Sequence, residues 1–203
     1  MHIEFLLEEE SAGEALSNVV PKIVGGQVSF STHIFQGKRD LLNALPARLR
    51  GYAKWLPSDW RIVVLVDRDN DDCHALKAKM GKMVKEAGLI SRTATSGKGV
   101  FHVLNRIAIE ELEAWFFGDV EALVSAYRGV SPTLAKKRGF KDSDAITGGT
   151  WEKLERILKN AGYYRAGMPK IEVARSISSH MVPDRNRSRS FRTFCQGLRE
   201  LIA

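Results

Sequence analysis

The sequence predicts an α/β protein: a mostly parallel sheet of about four strands with helices on both faces, followed by a helical, basic C-terminal region. Three observations predict it. Apolar or β-branched runs alternate with amphipathic helical stretches through residues 1–128, the rhythm of βαβ units. Beyond residue 128 only helical stripes remain. The charge divides near the same place, with 15 basic and 16 acidic groups in residues 1–120 and 16 and 8 in residues 121–203. The expected organisation is therefore an α/β domain over 1–128 and a helical extension over 129–203 packed on it. The segment 129–150, rich in Gly, Ser, Thr and Lys, is the boundary.

The elements follow in order. Ile3 to Leu7 is a short apolar strand that stops at Glu8-Glu9-Glu10. Leu16, Val19, Val20 and Ile23 recur at helical spacing, with Pro21 predicting a kink or an early end. After Gly25-Gly26, the residues Val28, Phe30, Thr32 and Ile34 alternate as a second strand. Leu41, Leu42, Leu45, Leu49 and Tyr52 mark a helix that contains Pro46. The run Ile62-Val63-Val64-Leu65-Val66 reads as a central strand buried on both faces. Leu76, Met80, Met83 and Val84 stripe the next helix, and Gly88 closes it. Phe101 to Ile109 is the expected fourth strand, and Leu112 to Tyr127 one long amphipathic helix. Three further helical stripes run through Leu154, Ile157 and Leu158, then Ile171, Ala174 and Ile177, then Phe191, Phe194 and Leu198.

Composition excludes several classes. No apolar run approaches the ~20 residues that span a bilayer. The first residues carry no basic leader, so a cytoplasmic location is expected. Cys73 and Cys195 stand far apart with no CxxC, against a disulfide framework or a thiolate zinc site. Ser96-Gly97-Lys98-Gly99 lacks the upstream Gly and the following Ser or Thr of a phosphate-binding Walker loop. There is no HExxH, GxSxG or GxGxxG.

What remains is acidic chemistry. In an open parallel sheet, function gathers at the carboxyl ends of the strands. Here those ends read Glu8-Glu9-Glu10, Asp67-Arg68-Asp69 and Glu110-Glu111-Leu112-Glu113. Carboxylates converging on one rim repel unless a cation lies between them. In an extended segment Asp67 and Asp69 point to the same side. Oxygen ligands without His or Cys suit Mg²⁺ or Mn²⁺, and such ions can activate water and stabilise a leaving phosphate oxygen. Asp71 and Asp72 are expected to cap the following helix instead.

The segments "LLEEESAGEAL", "FQGKRDLL", "VVLVDRDNDDC" and "IAIEELEAWFFGD" resemble an uncharacterised Toprim-like family related to the nucleases of the OLD (overcoming lysogenization defect) group. The resemblance covers residues 1 to about 127 and implies a Toprim-like, Rossmann-like fold. It implies that Glu8, Asp67 and Asp69 are catalytic metal ligands, with Glu113 as a further acidic position and Glu110 a weaker one. This chain has Glu9 where such domains commonly have Gly, so Glu8, Glu9 or both are candidate ligands. It further implies a Mg²⁺- or Mn²⁺-dependent nuclease of anti-phage defence, beside an ABC-type ATPase, with a homodimer as another candidate assembly.

Basic residues supply the expected counterpart. Lys38, after Gly37 at a helix start, is the candidate for stabilising charge on phosphorus, with Lys98 a weaker one. Lys170, Arg175, Arg185, Arg187, Arg189 and Arg192 are the candidate nucleic-acid contacts. The alternative reading is a catalytically inactive Toprim-like subunit that docks on an ATPase or on nucleic acid. A third has Asp67 accept a phosphoryl group beside Lys98.

Overall fold

The computed structural model describes residues 1–95 and 99–203; the Ser96-Gly97-Lys98 stretch singled out above lies outside the described residues. The strands are β1 (His2–Leu7), β2 (Ser29–Ile34), β3 (Trp60–Asp67) and β4 (Val103–Ala108). They form one sheet in the order β2-β1-β3-β4, and every pairing is parallel. The helices are α1 (Glu10–Val24), α2 (Lys38–Trp55), α3 (Cys73–Glu86), α4 (Glu113–Gly118), α5 (Val120–Ala126), α6 (Thr150–Asn160), α7 (Lys170–His180) and α8 (Arg189–Ile202). This is the predicted α/β architecture, with a four-stranded all-parallel sheet and helices on both sides.

Side-chain alternation along each strand divides the core into two layers. Leu6, Ile62, Val64, Val66 and Val103 face α2 and α3. Ile3, Phe5, Leu7, Val63, Leu65, Leu104 and Ala108 face the other way, onto α1, α4 and α8. That second layer continues without a gap through Leu154, Val173, Ile177 and Leu198. The C-terminal helices thus share the core of the sheet: α7 lies against α1 and α5, and α8 against β4. Trp115 is 1% exposed, with Phe191 edge-on to its ring and Phe194 tilted against it.

Two elements differ from the sequence reading, each for a local reason. The helix predicted over Leu112 to Tyr127 breaks into α4 and α5, because Asp119 leaves helical geometry (φ −124°, ψ 75°) and its carboxylate accepts the Ala122 N–H at 3.3 Å, capping α5. α1 runs on to Val24 despite Pro21, which lies within its last turn and ahead of the Gly25 cap. α2 likewise carries Pro46 inside it. Among the described residues, no helix is long and apolar enough to cross a membrane.

Candidate functional site

The parallel sheet delivers the ends of β1 and β3, and the loop after β4, to one rim. Glu8 follows β1 directly, Asp67 is the last residue of β3, and Glu113 opens α4. Asp67 lies within electrostatic reach of both Glu8 and Glu113. Burial pushes the Glu8 carboxyl up to about 7, and Asp69 and Glu9 push the same way while Lys38 opposes them. Burial also raises the Asp67 carboxyl well above the usual range, reinforced by Glu8, Glu113 and Glu9. Glu113, only 3% exposed, rises to about 7, again chiefly through burial, with Glu9 and Glu111 adding and Lys170 opposing. One oxygen of this group, Glu8 Oε2, is buried with no hydrogen-bond partner among the described residues. Beside it a cleft of about 620 Å³ opens between the β1–α1 turn, Gly37 and the start of α7.

The DxD pair does not act as an extended segment. β3 ends at Asp67, and Asp69 sits in the left-handed region (φ 48°), its N–H donating to the Glu110 C=O at 2.9 Å. The strand alternation that would align the two carboxylates has stopped by then, so Asp69 turns aside to Lys38 at 2.7 Å. Glu110, also left-handed (φ 64°), pairs with Arg68. Glu9 pairs with Lys170 at 3.5 Å and accepts a hydrogen bond from the Ser11 hydroxyl.

Lys38 is placed by Gly37, whose φ of 89° only glycine adopts without strain and whose N–H donates to the Glu8 C=O at 2.8 Å. Its ammonium donates to Asp71 at 2.8 Å and to the Arg68 C=O at 3.0 Å as well as meeting Asp69. Burial lowers the Lys38 pKa, but its hydrogen bonds to Asp69 and Asp71 outweigh it and the net shift is upward. Its three donors are therefore occupied, where the sequence reading had them free for a phosphate. Asp71 is that partner rather than a helix cap; Asp72 alone caps α3, accepting the Ala75 N–H at 2.7 Å.

The C-terminal cations fare differently from the expectation of one phosphate-binding strip. Lys170 belongs to the acidic rim: it lies 4.7 Å over the Trp151 ring and feels Glu9, Glu113, Glu111 and Asp67, which outweigh burial and raise its pKa. Arg185 is a structural partner of Asp119, which it grips at 2.8 and 3.0 Å, and it also reaches Glu121 at 2.8 Å. Arg175 pairs with Glu14 at 2.8 Å and Arg189 with Asp142 at 3.2 Å. Arg187 and Arg192 are exposed, with no side-chain partner among the described residues. Glu111 was missed as a builder of the site: its carboxylate accepts the Thr150 hydroxyl at 2.7 Å and the Trp151 N–H at 2.9 Å, tying the start of α6 to the rim. The Thr-Trp-Glu start of α6 signals a helix but not its distant acceptor.

The donor set consists of carboxylate oxygens, and the orphaned Glu8 oxygen is a vacant hard donor, which suits a divalent cation chemically. As the side chains stand, no three His, Cys, Asp or Glu among the described residues are arranged to hold one. Lys38 and Lys170 occupy the positive role instead.

Residues 7–199 match the model of one family, described as a domain of unknown function (DUF4276). The chain belongs to that family. No curated protein and no solved structure matches it. The DUF4276 span takes in both the acidic rim and the helices α6 to α8, so Lys170 falls within it as well as Glu8.

Proposed function

We propose that the acidic rim binds Mg²⁺ or Mn²⁺ and hydrolyses phosphodiester bonds of nucleic acid. The observation that carries this reading is the set of three carboxyls, half-buried Glu8 and Asp67 and buried Glu113, held above their ordinary range, with one Glu8 oxygen unpartnered among the described residues. Buried acids without donors cost stability, and such an arrangement is retained where a ligand uses it. Glu8, Asp67 and Glu113 would hold the ion, joined by Asp69 once Lys38 releases it. Bound there, the ion supplies a nucleophilic water and neutralises the leaving oxygen. Lys38 and Lys170 then stand ready to donate to phosphate oxygens, and Arg187 and Arg192 remain as outer contacts for a polyanion. The sequence resemblance extends the proposal to a defence nuclease acting beside an ABC-type ATPase.

A second reading has a specific observation in its favour. Lysines already neutralise Asp69 and Glu9, and the carboxylates are not arranged as a closed ligand set. A binding subunit that docks nucleic acid or an ATPase without catalysis fits that state. The two separate cleanly by experiment. The hydrolase predicts that MgCl₂ or MnCl₂ raises the thermal midpoint of the wild type but not of Asp67→Asn, since a ligand stabilises only the state that binds it. It also predicts that Asp67→Asn lowers cleavage of DNA or RNA about 100-fold, the size expected on removing one charge-stabilising group. Equal cleavage by both proteins refutes the assignment of this site, whereas binding that survives Asp69→Ala, needs no metal and is accompanied by no cleavage favours the binding subunit.

A further inference from the structure

A second cavity, its walls mostly apolar with a few polar groups, lies on the outer side of β4. It encloses about 450 Å³, within the range of small-molecule pockets. It wraps the outer edge of the strand, because Asn105 and Arg106 both line it while pointing to opposite faces of the sheet. α3 closes it on one side and the start of α8, with the 142–145 turn, on the other.

Three features of this cavity lack a partner of a definite kind. Arg106 is 6% exposed and makes no ion pair among the described residues. Its guanidinium donates only to two carbonyls, Thr193 at 3.2 Å and Asn105 at 3.1 Å. Gly197 is what admits it, since a Cβ there would collide with the guanidinium. Glu200, the acid whose charge reaches it, is already bound by Arg92. Second, Asn105 is 7% exposed, and its Oδ1 is one of three buried side-chain atoms without a hydrogen-bond partner among the described residues. Third, the outer main-chain edge of β4 is open here. Val103 bonds outward to Ile90 and Arg92, at 3.1 and 3.0 Å. By parallel-ladder alternation Ile107 turns its N–H and C=O to the same side.

The acids at the mouth do not meet these needs. Asp144 accepts the Ser190 N–H and the Ser188 hydroxyl, both at 2.7 Å, and so caps α8. Asp142 holds Arg189. An occupant must therefore bring an anion for Arg106, an N–H for Asn105 Oδ1, a mixed donor–acceptor edge for Ile107, and a flat apolar body against Ile107 and Ile109. We infer that the β4-edge cavity binds a nucleoside monophosphate, with its phosphate on Arg106 and its base edge on the Asn105 carboxamide. Asparagine carboxamides and guanidinium forks recognise these groups in a bidentate manner. A bare phosphate leaves Asn105 unsatisfied and most of the volume unfilled. Exposed Lys77, on α3, stands at the entrance and adds attraction.

Calorimetric titration of the full chain in a chelating buffer tests this apart from any cation site on the rim. The probes are the four ribonucleoside 5′-monophosphates, their parent nucleosides, and inorganic phosphate. At least one monophosphate should bind with a Kd below about 1 mM, and its nucleoside and phosphate at least tenfold more weakly. Asn105→Asp, nearly isosteric but anionic, should weaken that binding tenfold or more. Lys77→Glu, at an exposed position, should weaken it about threefold and keeps the test readable if Asn105→Asp does not fold. The inference is overturned if no monophosphate binds, if phosphate alone binds as tightly, or if the folded variants bind like wild type.

Discussion

Two of the clusters of charge among the described residues, one around Asp119 and one at the acidic rim, are built on opposite terms. At Asp119, a carboxylate with no exposed side-chain surface accepts four N–H groups: Ala122, Val182 and two from Arg185. At the rim, half-buried Glu8 and Asp67 and buried Glu113 raise one another's proton affinity, and a Glu8 oxygen has no donor among the described residues. The first cluster fastens α5 to the turn before α8, and nothing further could bind it. The second is left short of positive charge at the end of a parallel sheet. Buried acids that are fully hydrogen-bonded hold a fold together; buried acids that repel one another raise its energy until a proton or a cation arrives.

The largest expected effect comes from breaking the satisfied cluster. Asp119→Ala leaves Arg185 and two main-chain N–H groups without their acceptor, and should cost about 3–5 kcal/mol in urea unfolding. A loss below about 1 kcal/mol would mean that this cluster is not the anchor described.

Relieving the unsatisfied cluster should act the other way, and only at higher pH. Glu113 titrates near 7 when folded and near 4.5 when unfolded. Between those values the folded state binds more protons, so stability is full below about 4.5 and falls as pH rises through 7. Glu113→Gln should therefore be about 1–3 kcal/mol more stable than wild type at pH 8 and nearly equal to it at pH 4.5. A parallel offset at both pH values would assign Glu113 a packing role only.

The smallest stability effect sharpens the contrast among the arginines. Arg187→Ala with Arg192→Ala should stay within about 0.5 kcal/mol of wild type. If these two face a polyanion, the same double variant should reduce the salt dependence of nucleic-acid binding by about two phosphate contacts. An unchanged slope would move the binding surface elsewhere.

The legible part of the molecule is the part set by local pattern. The β-branched run Ile62 to Val66 became the central strand β3, and the period-two stretch around Phe30 became β2. The acidic ends of β1 and β3 were readable because strand ends in a parallel sheet share one edge. The rest was hidden for stated physical reasons. Asp69 follows the chain out of the strand into a left-handed turn, where alternation no longer predicts direction. The Asp119 break looks like continuous amphipathic helix, since Val120 and Leu123 keep the apolar stripe going. Lys170 and the arginines read as a single basic strip because composition records charge but not partners.

The sequence by itself determined the alternation of strands and helices, the two apolar layers they require, and which strand ends carry acid. These follow from periodicity and side-chain chemistry, which act over a few residues. Only the tertiary structure decided which cation meets which anion: Lys170 with Glu9, Arg185 with Asp119, Lys38 with Asp69. Those pairings join residues from 31 to 161 positions apart, and Coulomb attraction depends on distance in space, which the parallel sheet and the packing of α7 on α1 and α5 set.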